Sequence, residues 1–128
     1  CTAPGLYFRI DSEQAGIGAG LWRPDNKTLA KIRTTIDEQQ AAWQAVTSDR
    51  GLRKTFGGLD GESLKRPPRG FAADHPLVED LRRKDFIVGR NFDASEALGP
   101  KFPDRLVKDY VAAKPLVAFL CRAVGVAV

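Results

Sequence analysis

The sequence predicts an α+β fold, a small antiparallel sheet with helices packed mainly on one face. Three observations lead there. Strand formers cluster at Leu6–Asp11, Ile17–Trp22 and Asp85–Phe92. Between and after these stretches, apolar residues recur at helical spacing. The regular strand–helix–strand alternation of a doubly wound sheet is missing, which argues against a parallel sheet.

The elements follow in order. Leu6–Asp11 and Ile17–Trp22 are joined by a short polar turn at Ser12–Gly16, which predicts a hairpin. Gly16, Gly18, Ala19 and Gly20 point to a tight turn or a close backbone approach. They match neither a P-loop nor a dinucleotide fingerprint. Asp25 is placed to cap a helix carrying Leu29, Ile32, Arg33 and Ile36 on one face. Asp37 and Gln40 have capping-box spacing, so a second helix is expected through Trp43 and Val46, with Trp43 in the core. Ser48 or Asp49 caps a third helix through Leu52 and Phe56, and Gly57-Gly58 ends it. Arg50, Arg53 and Lys54 line its outer side.

Leu59–Leu64 reads as a turn or short strand pair around Asp60-Gly61. A short helix follows Pro76, with Leu77, Val78 and Leu81 apolar and Arg82-Arg83-Lys84 at its end. After the Asp85–Phe92 strand comes a loop from Asp93 to Lys101 with one helical turn. A long helix then starts at Pro103, with Leu106, Tyr110, Val117, Leu120, Cys121 and Val124 as its buried face. Pro115 is expected to kink or divide it.

A chain of 128 residues fits one domain with a real core. The net charge of +4, with acids mixed among the bases, does not compel a nucleic-acid partner. No apolar run approaches the roughly 18 residues of a membrane helix, so no membrane partner is expected. Cys1 and Cys121 form no disulfide framework and have no metal-ligand spacing. Cys121 should be a buried free thiol, and a reducing, cytoplasmic setting fits. There is no methionine, even at position 1, so the chain is expected to start within a longer gene product. It is then expected to leave an unpaired strand edge or an uncovered apolar face.

The candidate site is the stretch Leu64–Pro76, which holds Lys65, Arg66 and Arg69, the only histidine (His75) and three of the eight prolines. Pro67-Pro68 cannot sit in a helix interior or central strand, and Gly70 permits a turn. A stiff exposed path should therefore present the three cations. With His75 beside the following helix, they could clamp the phosphate or carboxylate of a small anionic ligand. They would equally suit a nucleic-acid backbone, but only Phe71 lies near enough to stack a base. The plain alternative is a solvated connector, with Asp74 and His75 capping the next helix.

Several blocks together are similar to one family. They are Gly18-x-Gly20-Leu21-Trp22-x-Pro24, Leu29-x-x-Ile32-Arg33, Leu59-x-Gly61-Glu62-x-Leu64-Lys65-Arg66-Pro67-Pro68-x-Gly70-Phe71, Asp74-His75-Pro76 and Lys114-Pro115-Leu116. The chain resembles the domain of unknown function 2461, a group of conserved hypothetical proteins of bacteria and fungi. The resemblance covers nearly the whole chain, and basic-Pro-Pro followed at a fixed distance by Asp-His-Pro is its most specific part. It implies a single domain over 1–128 corresponding to the C-terminal part of a longer family domain. It carries no activity, substrate or cofactor, and so no catalytic residue.

The residues themselves complete no catalytic set. One histidine cannot build a His-rich metal site, and nothing requires a cofactor. Ser63 lacks a nucleophile elbow. Glu62 and His75, with Asp74, are candidates for acid–base work if the loop folds back on itself. An enzyme acting on a phosphorylated or carboxylated small molecule, and a module binding nucleic acid or an acidic partner, are the alternatives to simple anion binding.

Overall fold

The computed structural model describes residues 4–10 and 13–125. Its strands are β1 (Gly5–Ile10), β2 (Gln14–Leu21) and β3 (Phe86–Asp93). Its helices are α1 (Asn26–Glu38), α2 (Gln40–Thr47), α3 (Arg50–Phe56), α4 (Val78–Leu81), α5 (Ala94–Ala97) and α6 (Phe102–Val124). The strands form one antiparallel sheet in the order β1-β2-β3. The expected hairpin is β1–β2, with Gly5 opposite Gly20 and Ile10 opposite Ala15. β3 returns beside β2, with Leu21 opposite Phe86 and Gln14 opposite Asp93. This is the α+β architecture the sequence predicts.

Alternation along the strands sorts the two faces. Ala19 and Leu21 of β2 and Phe86 and Val88 of β3 enter the main core, where they meet Leu29, Ile32 and Ile36 of α1, Trp43 of α2 and Leu116, Phe119 and Leu120 of α6. Trp43 is fully buried, with Phe86 edge-on at 5.9 Å and Phe119 at 5.0 Å. Its indole N–H donates to Asp80 Oδ2 at 2.9 Å, so its one polar atom is satisfied inside the core. A smaller apolar cluster of Ala15, Ile17 and Phe92 lies under Phe102 and Leu106.

The opposite face is lined by glycine. Gly20, at φ 117°, lies so close to β3 that a Cβ would stand 2.1 Å from the Phe86 carbonyl oxygen. Close backbone approach, one of the two roles expected of these glycines, is therefore real at this position. The Tyr7 hydroxyl donates to the Gly20 carbonyl across this face at 3.1 Å. Among the described residues β1 pairs only with β2, and Leu6, Tyr7 and Phe8 on this edge are exposed.

Four local expectations are corrected. Asp37 and Gln40 form no capping box: the Gln40 side chain donates to the Asp37 carbonyl, and the Asp37 carboxylate turns to His75. The 59–64 segment does not pair with itself. Instead Asp60 bridges to Ile87 and Ser63 to Arg83, so it flanks β3. α6 runs through Pro115 undivided. Of its expected face, Leu120 and Cys121 are buried and Leu106, Val117 and Val124 pack against the core, but Tyr110 is exposed, because Asp109 takes the inward position to pair with Arg90. Asp25 and Asp49 do cap their helices, accepting from the Thr28 and Leu52 amides. Cys121 is a buried free thiol, and Cys1 lies outside the described residues.

Candidate functional site

The Leu64–Pro76 loop is fastened at three places. At its start, the Leu64 amide donates to the Arg82 carbonyl at 2.7 Å, and Arg82 Nε returns a bond to the Leu64 carbonyl at 2.9 Å. In the middle, Pro68 is buried, Gly70 turns the chain at φ 93°, and Phe71 packs against the main core. At its end, His75 is bound through both ring nitrogens. Nδ1 accepts from the Leu77 amide at 3.0 Å, so the ring proton sits on Nε2 and is donated to Asp37 Oδ1 at 2.7 Å. The ring also meets Phe71 edge-on at 6.0 Å. A reciprocal Leu64–Arg82 pair, an apolar plug and a histidine brace thus hold a segment that has no regular structure of its own.

Lys65, Arg66 and Arg69 stand exposed on this fastened loop. Among the described residues none of them has an ion-pair partner. Glu79, a carboxylate near them in sequence, pairs with Arg82 at 3.1 Å instead. Arg83 pairs with Asp80, and Arg90 with Asp109. His75 is separated from the three cations in role: both nitrogens are occupied, so it braces the loop. α4 spans only four residues, too short to add a helix dipole of consequence. The three cations line none of the clefts at the open sheet face, the start of α1 or the start of α6.

Glu62 lies elsewhere, on the wall of a cleft of about 400 Å³ at the start of α1. Asp85 builds that wall. It is buried, and its carboxylate accepts from the Arg23 amide at 2.7 Å and the Glu62 amide at 3.1 Å. Gly61, at φ 103°, makes the approach possible, since a Cβ there would lie 2.6 Å from Asp85 Cβ. A backbone bond from the Lys84 amide to the Glu62 carbonyl at 2.8 Å continues the wall. Arg23, Arg33 and Lys84 also line the cleft. Arg33 donates from Nε to the Leu81 carbonyl at 2.8 Å and from Nη2 to the Arg83 carbonyl at 3.1 Å. Burial lowers its proton affinity below the ordinary arginine value. Reading the sequence missed Arg23, Arg33, Lys84 and Asp85. The one available signal was an arginine, Arg33, on the otherwise apolar face of α1.

The remaining chemistry is sparse. Among the described residues no group of three or more potential metal ligands gathers. His75, held between Asp37 and the Leu77 amide, has no nitrogen free to activate Ser63. Arg90 and Asp109 form an inner ion pair at 2.8 Å between β3 and α6, with Arg90 stacked over Phe92 at 4.7 Å. This pair ties sheet to helix. No helix among the described residues is long and apolar enough to cross a membrane.

Comparison with known proteins adds the family. A family model described as a conserved hypothetical protein (DUF2461) matches residues 1–119. Neither the curated proteins nor the solved structures yield a match. With the fold, the fastened basic loop and a match over nearly its whole length, the chain belongs to the DUF2461 family of conserved hypothetical proteins.

Proposed function

We propose that this protein binds an anionic ligand on the Leu64–Pro76 loop through Lys65, Arg66 and Arg69, with His75 setting the loop's path. One observation carries the reading. Among the described residues these cations have no carboxylate partner, although Arg82, Arg83 and Arg90 do, and they stand on a loop fastened at start, middle and end. A fastened loop loses little further freedom on binding, so more of the charge interaction appears as affinity. Arginine adds a planar fork suited to phosphate or carboxylate oxygens. Phe71, the ring beside the cations in sequence, is half-buried against the core and edge-on to His75, which favours a small anion over sequence-reading of nucleic acid.

Titration calorimetry with inorganic phosphate tests this on wild type and on Arg66→Ala/Arg69→Ala. Wild type should bind in the millimolar range, and the variant at least about fivefold more weakly, as loss of two exposed charge contacts implies. Wild type without binding, or a variant that binds equally well, overturns the reading and makes the loop a connector.

A further inference from the structure

The geometry points to a second, separate site: the cleft at the start of α1, lined by Arg23, Arg33, Lys84 and Glu62, takes the phosphate of a small phosphomonoester. The cleft is a built feature. Its floor and one wall are fixed by the buried Asp85 carboxylate, which ties together the exit of β2 and the 60–64 segment. Asp85 turns both oxygens to backbone amides, so the cleft's three cations stand with two carboxylates, Asp85 in the wall and Glu62.

Arg33 and Lys84 together set the class of ligand. Nε and Nη2 are committed to the carbonyls of Leu81 and Arg83, and the guanidinium is thereby held rigid. Among the described residues it has no carboxylate partner. What remains is the end of the guanidinium, with both N–H groups of Nη1 and the second of Nη2, a fork that an anion's paired oxygens can take. Lys84 brings a second cation from another segment, so the pair suits the two negative charges of a phosphomonoester, with Arg23 at the rim. Its guanidinium stacks over Trp22, outside the cleft walls, at 4.7 Å, and Arg23 is the one described non-glycine residue with positive φ, at 50°. The N-terminus of α1 adds little, because Asp25 already caps it.

The volume of about 400 Å³ exceeds what a bare phosphate fills. Leu29, Leu64 and Pro24 supply an apolar wall, and Asn26 and Glu62 supply groups that can bind hydroxyls. A phosphate ester of a small hydroxylated molecule matches this division. The site does not depend on the proposed loop site, since Lys65, Arg66 and Arg69 are absent from its walls.

The test therefore uses a chain in which the loop is silenced, Arg66→Ala/Arg69→Ala. Glycerol 1-phosphate is titrated into it and followed by ¹H–¹⁵N correlation spectra, including the arginine Nε–H signals, with the Arg33 signal assigned through Arg33→Lys. Saturable binding is expected, with the Arg33 Nε–H signal moving and glycerol alone giving no change. Adding Lys84→Gln, an exposed position, should weaken binding about tenfold, the scale for losing one charge-assisted contact. Absence of saturable binding overturns the inference, as does a Lys84→Gln chain that binds equally tightly or an Arg33 signal that stays still while others shift.

Discussion

Asp85 should be the most costly exposed-cleft residue to lose, although it touches no ligand in this account. Its carboxylate receives the Arg23 amide at 2.7 Å and the Glu62 amide at 3.1 Å, while its side chain lies almost wholly out of water. A hydrogen bond to a charged group contributes about 1.5–3 kcal/mol. Two such bonds set an upper range of about 3–6 kcal/mol, and both amides are partly reachable by water, so Asp85→Ala should cost about 2–4 kcal/mol. Asp85→Asn keeps one acceptor but turns an NH₂ toward the second amide, donor against donor. It should cost about 1.5–3 kcal/mol, because one charge-assisted bond is replaced by repulsion. Urea denaturation measures both, with the midpoint falling and the slope unchanged. Amide exchange supplies the local readout: Arg23 and Glu62 N–H protection should drop in both variants. If Asp85→Ala costs less than about 1 kcal/mol, or those two amides stay protected, the carboxylate is not what joins the two segments.

Other expectations are more compact. Trp43→Ala should cost about 3–5 kcal/mol in a denaturant melt, and Trp43→Phe less, since it keeps the contacts to Phe86 and Phe119 and loses the bond to Asp80. Asp109→Ala should cost about 3–5 kcal/mol by leaving Arg90 charged and unpaired beneath the sheet. A change under about 1 kcal/mol would show that Arg105, 3.8 Å from Asp109, or water compensates. The Asp25 carboxyl is held below the ordinary carboxylate range, first by the Thr28 backbone amide and then by the Thr28 side chain. Its contribution is present above its unfolded pKa and is lost as pH falls through its lower folded value. The stability difference between wild type and Asp25→Ala should therefore narrow on acidification below about pH 4. Gly20→Ala should destabilise by more than about 1 kcal/mol, because its Cβ would strike the Phe86 carbonyl oxygen at a positive φ.

Local signals made most of the fold legible. The N-caps Asp25 and Asp49, the stop at Gly57 and the strand stretches are written within a few adjacent residues, and each appears where its chemistry places it. What could not be read is set by partners far along the chain. Asp37 looked like the start of a capping box, but His75, 38 residues away, takes its carboxylate. The 60–64 segment pairs with residues 83–87, which no turn signal announces. Tyr110 was assigned to the core from apolar spacing, yet the charged Asp109 holds the inward position because Arg90 waits there on β3. The site shows the same division. Clustering revealed Lys65, Arg66 and Arg69, since they are neighbours in sequence. The cleft of Arg23, Arg33, Glu62 and Lys84 draws on three segments brought together by Asp85, and only the folded chain assembles it.

The central claim is that the basic loop is a binding surface and not a connector. Residue-resolved phosphate titration of the wild-type chain, followed through its backbone amide signals, tests it most directly. The account predicts saturable shifts at Lys65, Arg66, Arg69 and Gly70 that vanish in Arg66→Ala/Arg69→Ala, with the His75 and Asp37 signals little moved because the brace is already set. Loop signals that stay still in millimolar phosphate, or that drift linearly along with every exposed lysine and arginine, would contradict it.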